Sequence, residues 1–120
     1  MANKQVTGTV VVLLDGMSLR SKVGASLDIG GWERQAEEAD GEIIGFRKKK
    51  VPAMCTATLA HTSESELRAI DETEDATLVF ETDTGVRYTV RNAFSTRPPK
   101  LTGGEGEVSV EFQGQPAKES

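Results

Sequence analysis

Two alternating segments joined by a glycine turn constrain this chain most. In the first, Ala76, Leu78 and Phe80 alternate with Thr77, Val79 and Glu81; in the second, Val86, Tyr88 and Val90 alternate with Arg87, Thr89 and Arg91. Apolar residues at every second position give a strand one core-facing side. Between them lies Thr82-Asp83-Thr84-Gly85, with Gly85 able to take the left-handed position. The pattern predicts an antiparallel hairpin, and with it a fold built from sheet.

The rest of the chain extends that reading. Thr7 to Leu14 is a valine-rich run bounded by Gly8 and Asp15-Gly16, and reads as a buried strand. Asp-Gly is a type I′ hairpin signal, because both turn residues need positive φ. A second strand is expected from about Met17 to Ile29, broken or bulged near Gly24. After Gly30-Gly31, the stretch from Trp32 to Lys50 is highly charged and sparsely apolar, and reads as a long loop or arm with short strands at its ends. Ala53 to His61 reads as a central strand. Ser63 and Glu66 match a capping box for a short helix from about Ser65 to Glu72. Pro98-Pro99 interrupts strand character, and Val108, Val110 and Phe112 mark a last strand. Residues 114–120 read as a flexible tail. The expected class is mainly β, a β-sandwich or open barrel of about seven strands with one short α-helix, in a single domain.

Composition limits what such a fold can do. The formal net charge of −5 argues against a dedicated nucleic-acid binder, which needs a basic face. It also means that phosphate would be repelled, which is useful where nucleic acid must slide past. Aromatic residues make up only 5%, low for an enzyme with a deep apolar pocket. With one cysteine, Cys55, the chain can form no internal disulfide. Its first residues are polar, and the apolar run from Val10 to Leu14 is too short for a signal peptide core or a membrane span, so a soluble, cytoplasmic start is expected.

Catalytic chemistry finds no support. His61 and Cys55 share a predicted strand face but lie six residues apart, about 20 Å along a strand. His61 reads as a packing or capping residue. Structural zinc wants four Cys or His ligands, and the chain has two such residues. Asp71, Glu72, Glu74 and Asp75 lack the ligand order of a calcium loop and read as a solvated acidic turn. No Gly-Lys-Ser/Thr follows the glycines near Gly103. The chain is therefore read as a non-enzyme without cofactor or metal. Arg47-Lys48-Lys49-Lys50 is the one basic run; it could be solvated, contact an acidic neighbour, or touch phosphate. Trp32 is either a core anchor or an interface hot spot.

A set of short motifs in fixed order carries a resemblance. They are Asp15-Gly16-Met17, Gly24-Ala25-Ser26, Gly45-Phe46, Pro52-Ala53, Asp83-Thr84-Gly85, Asn92-Ala93-Phe94 and Gly104-Glu105-Gly106-Glu107. Together they run almost the whole length, and the chain resembles the tail tube proteins of long-tailed bacteriophages, especially those with Mu-like contractile tails. It departs from their pattern at Phe94, usually tryptophan there, and at Phe46, often tyrosine or histidine. The stretch Thr62 to Glu74 varies in length among them.

The resemblance implies a structural subunit that forms stacked hexameric rings, with DNA passing through the lumen during ejection. Implied partners are further copies of itself, a sheath protein, a tape-measure protein, a baseplate hub and a tail terminator. The implied place is the virion tail, after assembly in the host cytoplasm. Trp32, Arg34, Phe46, Arg47, Lys48 and Lys49 are expected at the ring-stacking contact. The lumen wall is expected to be either the Arg87, Thr89 and Arg91 face or the Glu107, Ser109 and Glu111 face. A tailocin or related contractile injection tube, and a small β-barrel binding module, are the alternatives.

Overall fold

The computed structural model describes residues 5, 7–19, 21–22, 24–61, 67–104 and 106–119. In chain order the elements are β1 (Val10–Leu14), β2 (Met17–Ser18), β3 (Ser26–Asp28), β4 (Gly31–Ala39), β5 (Glu42–Val51), β6 (Ala53–Ala60), α1 (Leu67–Asp71), β7 (Ala76–Thr82), β8 (Arg87–Ser95), β9 (Lys100–Thr102), β10 (Glu107–Gly114) and β11 (Lys118–Glu119). Seven strands form one hydrogen-bonded path, β2-β1-β7-β8-β10-β6-β3, and β11 on β8 and β9 on β10 bring the sheet to nine strands. The strands β4 and β5 pair with each other as a separate hairpin.

The path folds over at β8. The first half of β8 pairs with β7, whereas Phe94 and Ser95 pair with Gln113 and Phe112 of β10. Between the two halves β8 carries one extra residue, since Ala76 pairs with Ala93 but Leu78 with Val90. Asn92 takes φ 55° there, and its amide donates to Asp75 at 2.8 Å. A bulge of this kind bends a strand and raises its twist. It turns one path into two layers: a first sheet of β2, β1, β7, β8 and β11, and a second of β9, β10, β6 and β3.

The layers share one core. Val12, Leu14, Leu78, Phe80 and Val90 come from the first sheet; Cys55, Leu59, Val108, Val110 and Phe112 come from the second. Burial alternates along β6 residue by residue, as the sequence pattern requires. Among the described residues no polar or charged side chain is buried. The crossing is close at Gly114, where a Cβ would stand 2.7 Å from Val90 Cγ1 and 2.9 Å from the Arg91 carbonyl oxygen. The sheets stay open and do not close into a barrel, so the mainly β, sandwich-type class with one short helix holds.

Four local expectations need correction. Met17 to Ile29 is not one strand: β2 pairs with β1, while β3 pairs with β6 on the other layer. Gly24, at φ 108°, lies between them. Trp32 to Lys50 is not a loop but strand along both sides. The tail expected to fray is paired: Gln115 N–H donates to Arg91, Ala117 N–H donates to Ile29, and β11 lies against Thr89 and Tyr88. His61 is exposed rather than packed, with its backbone N–H on the Gly106 carbonyl at 2.8 Å. The helix appears as Leu67–Asp71 with Ile70 buried. Ser63 and Glu66, its expected cap, lie outside the described residues.

Candidate assembly surfaces

The hairpin of β4 and β5 is the largest feature outside the core. Asp40 and Gly41, at φ 53° and 78°, make its two-residue tip between the paired Ala39 and Glu42. Each strand is about 30 Å long at ~3.3 Å per residue. The pairing keeps one register from Ser26↔Thr56 on the sheet to Glu37↔Gly45 on the arm, so arm and sheet are parts of a single ribbon. The ribbon is interrupted only at its root. Pro52 has no N–H to offer there, and Gly30 at φ 72° passes so close that a Cβ would meet the Ala53 nitrogen at 2.7 Å. Near the tip Ile44 is one residue too many, which breaks the register between Glu37 and Glu38.

The two faces of this arm differ chemically. One carries Trp32, Arg34, Phe46, Lys48 and Lys50. Lys48 Nζ lies 5.9 Å from the Trp32 ring centroid, and Arg34 lies 5.9 Å from that of Phe46. Such contacts contribute about 0.5–1 kcal/mol each at an exposed site. The other face carries Glu33, Gln35, Glu37, Arg47 and Lys49, and is internally balanced: Arg47 pairs with Glu37, and Lys49 stands opposite Glu33. Of the six expected stacking residues, the structure therefore brings Trp32, Arg34, Phe46 and Lys48 together and puts Arg47 and Lys49 on the reverse. Trp32 is 55% exposed and is no core anchor.

Sequence reading missed Lys50 on the aromatic face and Ile43 and Ile44 near the tip, which are 66% and 67% exposed. The Asp40-Gly41 pair was the available signal, the same one that marks Asp15-Gly16. With Phe46 at 57%, the arm leaves four large apolar side chains, Trp32, Ile43, Ile44 and Phe46, more than half exposed. Concentrated exposure of this kind marks a contact surface.

The expected lumen candidates fall on the outer faces of the two layers. Arg87, Thr89 and Arg91 lie on the outside of the first sheet, where Arg87 meets Glu81 at 3.1 Å. Glu107, Ser109 and Glu111 lie on the outside of the second, where Lys22 reaches Glu107 and Arg97 reaches Glu111, each at 3.2 Å. Between the layers, where β3 and the start of β1 part, a cleft of about 570 Å³ is lined by Val10, Leu27, Ile29, Phe80 and Tyr88 among others. Cys55 offers it no nucleophile: the thiol is buried in the core, and burial pushes its pKa up to about 11. Among the described residues no cluster of His, Cys, Asp and Glu is placed to hold a metal ion. Asp71 pairs with Arg68 and Asp75 with Asn92. No helix is long and apolar enough to cross a membrane.

Comparison with known proteins gives this open sandwich with its self-paired arm a family. The profile of the family described as phage tail tube protein matches residues 3–119. The chain belongs to that family. It is 30% identical over 105 residues to the tail tube protein of Escherichia phage Mu, covering 88% of each chain. It is 26% identical over 108 residues to the Mu-like prophage FluMu tail tube protein of Haemophilus influenzae, covering 90% of each. Membership makes this tail tube protein a structural component of a phage tail and not an enzyme. Solved structures share its fold. The sheath/tube terminator of the extracellular contractile injection system PVC superposes with a TM-score of 0.73 at 12% identity, covering 99% of this chain and 98% of that one. The tube-terminating cap of the anti-feeding prophage gives 0.69 at 14%, covering 100% and 94%.

Proposed function

We propose that this chain, as one tail-tube domain, closes into hexameric rings that stack into the tube of a Mu-like contractile tail, whose lumen carries DNA during ejection. The observation that carries the reading is the arm. Among the described residues its strands pair only with each other, and it projects aromatic and branched side chains into water. Such a surface is stable when a neighbour covers it, and a neighbouring ring is within reach of a strand pair about 30 Å long. The open sheet borders support the same reading, because a ring of copies supplies partners for them. In the virion the tube would be enclosed by a sheath, would hold a tape-measure protein before DNA enters, and would end on a baseplate hub and a terminator. Subunits would assemble in the host cytoplasm.

A second reading keeps the same architecture but places the tube in a contractile injection machine without a genome. The likeness in fold to injection-system components favours keeping it. Neighbouring capsid and terminase genes would separate the two. For either, the experiment is electron microscopy and sedimentation of the purified protein over a concentration series. Rings and hollow tubes are expected; a monomer at every concentration would overturn both.

A further inference from the structure

We infer that the outer face of the second sheet, not that of the first, is the wall of the channel. The inference rests on the tube reading and selects between two surfaces that the sequence left equivalent.

Directly paired residues on antiparallel strands present their side chains to the same side. On the outside of the second sheet this gives three successive rows: Ser26–Thr56–Glu111, Thr58–Ser109–Lys100 and Ala60–Glu107–Thr102. The side chains that β6 presents on that face, Thr56, Thr58 and Ala60, are all short. Hydroxyls dominate, and the two carboxylates stand on the central strand β10. Two cations that answer them, Lys22 and Arg97, reach in from segments beside the sheet, and a third, Lys100, stands on the short flanking strand β9 opposite Ser109. The larger apolar groups, Met54 and Phe94, sit in a single row with Gln113 at the root of the arm.

The outside of the first sheet is built differently. Its rows are Ser18–Leu13–Val79–Thr89–Lys118 and Val11–Glu81–Arg87. Val11, Leu13 and Val79 form a contiguous branched apolar group, with Val11 48% exposed. The carboxylate of Glu81 is already held by Arg87, while Arg91 and Lys118 flank Thr89 as further cations.

A channel for a polyanion must stay wetted and must offer no strong anchor. Phosphate binds wherever lysines and arginines can displace its counterions. A cationic, partly apolar wall would hold DNA and shed water. A wall whose two middle strands, β6 and β10, carry hydroxyls and carboxylates and no cation, with lysine and arginine kept to the flanks, would do neither.

Introduced cysteines test this cleanly, since Cys55 is buried and slow to react. Thr58→Cys and Ser109→Cys report one face, and Thr89→Cys reports the other. Each is treated with N-ethylmaleimide and with a maleimide on a long poly(ethylene glycol) chain, before and after tube assembly. In dispersed subunits all three are expected to react with both reagents. In assembled tubes the Thr58→Cys and Ser109→Cys thiols are expected to keep reacting with the small reagent. They are expected to react more slowly with the large one by about tenfold or more, because thiol labelling follows access. Thr89→Cys is expected to lack that size-selective pattern. Size selectivity at Thr89, or large-reagent labelling or full protection at both Thr58 and Ser109, would overturn the assignment with the tube intact. A failure of the wild-type chain to form tubes would instead defeat the reading beneath it.

Discussion

Two residues test the packing at the smallest scale. Gly114 has no positive φ to defend, so its requirement is purely steric: Val90 and the Arg91 carbonyl leave no room for a Cβ. Gly114→Ala is expected to destabilise the fold by about 1–3 kcal/mol, the usual effect of overpacking. Gly103→Ala, where nothing lies within 4 Å, is expected to be nearly neutral. Urea unfolding of the two variants beside the wild type measures both. Cys55 tests burial through its proton. The ordinary thiol value is 9.0 and the folded one about 11. As pH rises past 9 the unfolded thiol ionises while the folded thiol does not, so the unfolded state is favoured. Stability is therefore complete below about pH 9 and falls through pH 11, by about 2–3 kcal/mol for two pKa units. Unfolding curves at pH 8 and pH 11 should show that loss in the wild type and a smaller one in Cys55→Ala, which has no thiol to titrate.

At the scale of elements, the arm carries the clearest prediction, because its faces have been separated. Removing two positive charges from the aromatic face, as Lys48→Gln with Lys50→Gln, is expected to lower tube yield by about tenfold, the equivalent of ~1.4 kcal/mol per contact. Removing two from the reverse face, as Arg47→Gln with Lys49→Gln, changes net charge equally and is expected to leave yield within a few-fold. Equal losses from both pairs, read by sedimentation, would mean that overall charge governs stacking. The same element shows what the sequence could and could not reveal. The hairpin of β7 and β8 and the strands β6 and β10 were legible, because each has one side in the core and the apolar period exposes it. The arm has no core on either side, so no apolar period exists to be read, and its strands hid within a charged stretch. Only Asp40-Gly41 declared the turn. The fold-over at Asn92 was illegible for a different reason: one extra residue in a strand leaves no mark on composition. The pairing of residues 115–119 depends on backbone groups supplied by Arg91 and Ile29, far away in sequence.

The whole molecule divides into a sandwich that supplies its own core and an arm that does not contribute to it. Every residue of the buried cluster belongs to the sandwich or to α1, and none to β4 or β5. The arm also sets the overall shape. The radius of gyration is 17.6 Å, against about 13–14 Å for a compact chain of this length. These facts predict that folding and assembly can be separated. Trp32 and Lys50 stand directly opposite each other, so a two-residue Asn-Gly turn can join them once residues 33–49 are excised. The shortened chain is expected to unfold in one cooperative step at nearly the wild-type temperature. Small-angle scattering should give it a radius of gyration near the compact value of about 13–14 Å. It is expected to form no stacked tubes at concentrations where the full chain does. If it failed to fold, the arm would be part of the domain's stability and not an appendage for contact. If it folded and still stacked, the surfaces that join one ring to the next would lie on the sandwich itself, and the exposed aromatic face of the arm would need another partner.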